Sequence, residues 1–155
     1  LQRSIDMLKA EGIRLQGPLE SGVYSYEYTG IHGTWVCILK MDPHSDVVTV
    51  YTFLHYDAAE CNKNELLQFI NESNYYLYRG CWVYDKKAAA IHLRVENHEQ
   101  YGENITEEIR TMLKYSCRMA DDFFPGFLLL EDGWGSSDEA IETVKRAIDG
   151  YDVSM

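Results

Sequence analysis

The chain has 155 residues, 46% hydrophobic and 13% aromatic, with 25 acidic against 14 basic side chains and a net charge of -11. That suits one domain with a substantial core, and it argues against disorder and against nucleic acid, since Lys86-Lys87 and Lys145-Arg146 are the only basic doublets in an acidic chain. A membrane span is not expected: no apolar run reaches the roughly 20 residues required, and "FFPGFLLLEDG" is broken by Pro125 and Gly126.

Residues 4–11 read as an amphipathic helix with Ile5, Leu8 and Met7 turned inward and Gly12 as its stop. "GPLESG" reads as a turn. Three strands follow at 23–29, 34–42 and 46–55, joined by "GIHG" and by "DPHSD", where Pro43 suits a tight turn. Connections this short predict an antiparallel meander. Asn62 then caps a helix, with Glu65 completing the capping pattern, Leu66, Leu67 and Ile70 as the buried stripe, and an end near Asn74.

Strands at 80–84 and 88–95 form a hairpin through Asp85-Lys86-Lys87. Asn104 or Thr106 caps the longest helix, which carries Ile109, Met112, Leu113, Ser116, Cys117, Ala120 and Phe123 at helical spacing and stops at Pro125-Gly126. "GWGSS" is a loop. Ser136 with Glu139 caps a last helix bearing Ile141, Val144 and Ile148. The order α-β-β-β-α-β-β-α, plus an appended C-terminal helix, predicts a two-layer α+β fold with a five-stranded antiparallel sheet. The domain is expected over residues 1–130, with a linker and the C-terminal helix over 131–155.

Cys37, Cys61, Cys81 and Cys117 are widely spaced and include no C-x-x-C pair. Three of them sit in apolar strand or helix patterns, where thiols behave as small hydrophobes. Buried free thiols and a reducing cytoplasm are the expectation, with a structural disulfide as the alternative.

The helix ending "FINESNYYLYRGCWVYD", with Asn71 and Asn74 before the strand pair, stands out, as do the hairpin strand "AAAIHLRVE" and the helix opening "ENITEEI". With these segments in this order the chain resembles the YbjN family, bacterial domains with a fold like that of type III secretion chaperones, over roughly residues 5–125. The resemblance implies no enzymatic activity, no cofactor and no catalytic residue. Family members are described as sensory-transduction regulators, and the similar chaperones are small acidic dimers that bind segments of other proteins.

Motifs with chemical potential read more simply as structure. His92, Arg94 and Glu96 share a strand face with His98 just beyond, but Arg94 opposes a cation and no spacing matches a zinc motif. "DPHSD" holds acid, imidazole and hydroxyl too close together for a triad, so Asp42, Ser45 and Asp46 are turn formers. "DGWGSSDE" lacks a P-loop lysine and is too acidic for phosphate. The sequons at Asn71 and Asn104 fall at helix positions. No catalytic, metal or cofactor residue is expected.

Alternation in the strands predicts one aliphatic and one aromatic sheet face. The aromatic set is Tyr24, Tyr26, Tyr28, Trp35, Tyr51, Phe53, Trp82 and Tyr84. Helices are expected on the aliphatic side. The aromatic side is then an interaction surface for a second subunit or a peptide, is covered by the last helix, or is itself the core. The functional expectation is a non-enzymatic protein-binding regulator or chaperone-like module, a homodimer whose acidic exterior selects basic partners. The alternative is a small-molecule-binding or enzymatic domain with an aromatic-lined pocket.

Overall fold

Short connections decide the topology. The structure, a computed structural model, describes residues 2–42, 44, 47–97 and 105–153. Its elements run α1 (Gln2–Ala10), β1 (Gln16–Glu20), β2 (Val23–Thr29), β3 (Thr34–Met41), β4 (Val48–Phe53), α2 (Lys63–Tyr76), β5 (Cys81–Asp85), β6 (Ala90–Asn97), α3 (Ile105–Leu130) and α4 (Ser137–Val153). The expected α+β class is what is found. The sheet has six strands in the order β1-β2-β3-β4-β6-β5, every neighbouring pair antiparallel.

The sixth strand is β1, which lies where "GPLESG" was expected to be only a turn. Gly17 and Pro18 argue against a strand interior, because proline donates nothing to a ladder. At the sheet's edge that objection lapses, and Gln16 pairs with Ser25 and Glu20 with Val23. All five residues of β1 are exposed.

The helices differ from expectation in three places. In α1, Ile5 and Leu8 are buried but Met7 is not; Gly12, at φ 92°, ends the helix in the left-handed region that favours glycine. In α2 the buried stripe is Leu66, Phe69 and Ile70, and Leu67 faces water. The third difference is the largest: α3 runs through Pro125-Gly126 to Leu130. A mid-helix proline loses one backbone bond, but here the extra turn buries Phe127 and Leu130. The Phe127 ring sits 4.8 Å from Phe69, 5.0 Å from Trp82 and 5.6 Å from Tyr56. Gly126 allows the close crossing, since a Cβ there would lie 2.6 Å from Phe69 and 2.8 Å from Val144.

The predicted stripe of α3, from Ile109 through Phe123, is buried against the sheet. Arg110 ties α3 to α1 through Glu11 (Nε to Oε2, 2.9 Å). Helix α4 packs on α3 and α2 and places Ala140, Ile141 and Val144 in the same core. Asn62 caps α2 by accepting from the Asn64 and Glu65 amides. Glu65 does not complete a reciprocal box; its carboxylate accepts from the Ser137 amide at 2.6 Å, at the start of α4. Ser136 and Glu139 cap α4 as expected. Of the two candidate caps of α3, Asn104 lies outside the described residues and Thr106 is buried in the first turn.

Two polar anchors hold elements that apolar packing alone leaves loose. Asp121, buried on α3, accepts from the Ile31 and His32 amides (3.0 and 2.8 Å) and from Trp35 Nε1 (3.2 Å), fixing the β2–β3 turn on the helix. Asn74, on the last turn of α2, accepts from the Trp82 amide at 2.5 Å and donates to the Trp82 carbonyl at 3.2 Å. Removing an acceptor strands the donors it served. We expect Asp121→Ala to cost about 2–4 kcal/mol and Asn74→Ala about 1–3 kcal/mol, read from urea denaturation midpoints at unchanged slope.

Candidate functional site: the open sheet face

The register of the strands settles which side chains share a face. Tyr24, Tyr26 and Tyr28 pair with Leu39, Cys37 and Trp35, which in turn align with Val50 and Thr52 of β4. On β6, Val95 and Leu93 continue those rows, and Trp82 and Tyr84 of β5 pair with Leu93 and Ile91. This is the face under α3. It mixes aromatic and aliphatic residues, so the expected division into one aliphatic and one aromatic face is corrected.

Six of the eight predicted surface residues belong to this covered face. Tyr24, Trp35 and Trp82 are 4%, 1% and 2% exposed, and Tyr26, Tyr28 and Tyr84 are half-buried. Trp82 lies against Phe123 and Phe127, and Trp35 packs edge-on against Phe124 at 4.7 Å. These rings are core. Nor does α4 cover an aromatic face, because it packs on helices.

Tyr51 and Phe53 are separated from the other six. Residues one apart on a strand point to opposite sides, and the β3–β4 turn pairs Met41 with Val48, which sends Val48 and Val50 inward and Tyr51 and Phe53 outward. The outward face is then built in rows across the strands. One row is Ser25, Ile38, Tyr51, Arg94 and Cys81; the next is Glu27, Val36, Phe53, His92 and Val83. A third row runs Val23, Lys40, Thr49 and Glu96, polar except for Val23 at its β2 end. Among the described residues no helix packs on this side.

Aromatic contacts knit its centre. Tyr51 and Phe53 lie 6.4 Å apart, and the His92 ring lies 5.7 Å from Tyr51 and 5.6 Å from Phe53. The Arg94 guanidinium stands 6.0 Å from the Tyr51 ring and pairs with Glu96. Phe53 is 40% exposed, high for a phenylalanine in the middle of a strand row. Partial burial pushes the His92 imidazole below its ordinary range; Asp85 opposes that shift and Arg94 adds to it.

An open depression of about 300 Å³ at the β5 end of this face is lined by Gly80, Cys81, Arg94 and Glu96, with no aromatic ring among them. The expected alternative of an aromatic-lined pocket therefore has no counterpart there. Among the described residues no three His, Cys, Asp or Glu side chains gather as metal ligands. His98, considered with His92 and Glu96, lies outside the described residues, as do Ser45 and Asp46 of "DPHSD". Asp42 of that motif accepts from the His44 amide at 2.8 Å, a turn-forming bond.

The end of α2 carries a second exposed group. Tyr75, Tyr76 and Tyr78 all reach solvent, Tyr78 at 92%. Tyr75 and Tyr76 meet edge-on, and the Lys145 ammonium lies 5.3 Å from the Tyr76 ring. The Tyr-rich segment thus divides into exposed rings before Arg79 and packed rings from Trp82 on.

No family model, no curated protein and no solved structure matches the chain. The YbjN resemblance thus rests on the quoted segments alone. No helix among the described residues is long and apolar enough to cross a membrane.

The half-covered His92 carries a pH signature. Because its folded-state pKa is depressed, the folded chain resists protonation; stability from the neutral ring is present above the unfolded value of about 6.5 and is lost as pH falls through the folded one. Proton NMR titration should place the His92 midpoint below the ordinary histidine value, and His92→Gln should flatten the loss of stability between neutral and mildly acidic pH.

Proposed function

We propose that the chain is a non-enzymatic protein-binding domain of the YbjN type, a regulator or chaperone-like module, whose open sheet face pairs with the same face of a second copy. One observation carries this: the two central rows of that face hold Val36, Ile38, Tyr51, Phe53 and Val83 where a solvated antiparallel sheet would show polar groups. Such a patch favours a partner that removes it from water.

Area and charge favour a second copy as the occupant. Five strands about 4.8 Å apart, with three outward positions about 6.7 Å apart, make a face of roughly 24 by 20 Å. Two such faces would bury on the order of 1,000 Å², the lower bound of a specific interface. On the outward positions of β2–β6, Lys40 and Arg94 stand against Glu27, Asp85 and Glu96, one negative charge in excess, whereas the chain carries -11. The acidity that would drive two copies apart lies mostly elsewhere. There it would keep the dimer soluble and favour basic client segments.

Sedimentation velocity over a concentration series tests this. The wild-type chain should pass from monomer to dimer, and Tyr51→Glu or Phe53→Glu should weaken the dimer by at least about tenfold with the far-UV spectrum unchanged. A strict monomer at every concentration, or a dimer indifferent to both substitutions, overturns the pairing.

A further inference from the structure

We propose that Cys37 and Cys117 form an oxidisable pair, a modification site that closes to a disulfide and staples helix α3 to the central strand β3. The inference is independent of what docks on the open face. The two sulfurs lie 3.3 Å apart, on residues 80 positions apart in sequence and on the two layers whose packing makes the core. A disulfide bond is about 2.04 Å long, so the sulfurs need to approach by about 1.3 Å.

The other two thiols are held elsewhere. Cys61 Sγ lies 2.8 Å from the Tyr56 hydroxyl, and Cys81 points to the opposite side of the sheet in the row with Arg94. The paired sulfurs also meet a hydroxyl. Cys37 lies 3.3 Å from Cys117 and 3.2 Å from the Thr52 hydroxyl. The contact with Cys117 lowers the Cys37 thiol against the opposing effect of burial, and Thr52 assists; the same contact and burial raise the Cys117 thiol.

With a peroxide as oxidant the chemistry balances. The thiolate of either sulfur attacks one peroxide oxygen, the O–O bond breaks, and that sulfur becomes a sulfenic acid while the departing hydroxide takes a proton to form water. The other thiol then loses its proton and attacks the oxidised sulfur; the S–S bond forms, the S–O bond breaks, and the departing hydroxide takes that proton and leaves as a second water. Two thiols lose two electrons in all, and one peroxide becomes two waters. A dithiol reductant reverses the bond by exchange. Both sulfurs are buried, so the rate should follow local opening of α3 from the sheet and rise in mild denaturant.

The full reduced chain, treated with hydrogen peroxide and then alkylated in denaturant, provides the test. Two of its four cysteines should resist alkylation, non-reducing peptide mapping should join the Cys37 and Cys117 peptides, and a dithiol should restore both. Closing so long a loop should raise Tm by roughly 5–15 °C. Cys37→Ala and Cys117→Ala should each abolish the linked peptide. The proposal is overturned if both residues alkylate fully after peroxide treatment, if they stop at sulfinic acid, or if the linked peptide contains Cys61 or Cys81. The mapping needs only the wild-type chain, so poor folding of a variant leaves the outcome decisive. A monomeric protein that still forms the bond would sink the docking proposal and keep this one.

Discussion

Everything in this molecule follows from the phase of one antiparallel sheet. Each strand alternates by itself, but the turns decide whether neighbouring alternations add or cancel. Pairing Met41 with Val48 puts Trp35, Cys37, Leu39 and Val50 together under α3. The same pairing leaves Val36, Ile38, Tyr51 and Phe53 on the side where, among the described residues, no helix packs. A slip of one residue at that turn would bury Tyr51 and expose Val50, and the long apolar stripe of α3 would lose its seat.

The polar groups inside the domain refine this arrangement. Asp121 reaches from the helix layer to two amides and an indole at the β2–β3 turn, so the turn and α3 are held as a unit. Tyr115 plays the same part at the other end of the sheet, donating to the Arg79 carbonyl at 2.9 Å and accepting from its amide at 3.1 Å. Both side chains come from α3. That helix is the spine on which loops from both ends of the sheet hang.

Much of the fold was legible in the chain, and the misses have physical causes. The buried stripe from Ile109 to Phe123 and the caps at Asn62 and Ser136 follow from local periodicity and capping chemistry. Pro125 misled because helix length was judged from local propensity, whereas Phe127 is held by three rings from other elements. The edge strand at Gln16–Glu20 was hidden because its pairing comes only from β2. The candidate face was half legible: alternation marked Tyr51 and Phe53 as sharing a side, but not that Tyr24 and Trp35 face the other way. Asp121 lies four positions beyond Cys117 on the apolar stripe, and an acid at such a position announces a buried acceptor.

The side chain of Asn74 has a wider consequence. With its amide bonded to both backbone polar groups of Trp82, it stands where a seventh strand would have to pair, and at the far margin Pro18 offers no N–H to a newcomer. Each lateral border of the ribbon is thus blunted, one by a mimic of a neighbouring backbone and one by a missing donor. Edge-to-edge addition of strands from other copies is discouraged at both margins.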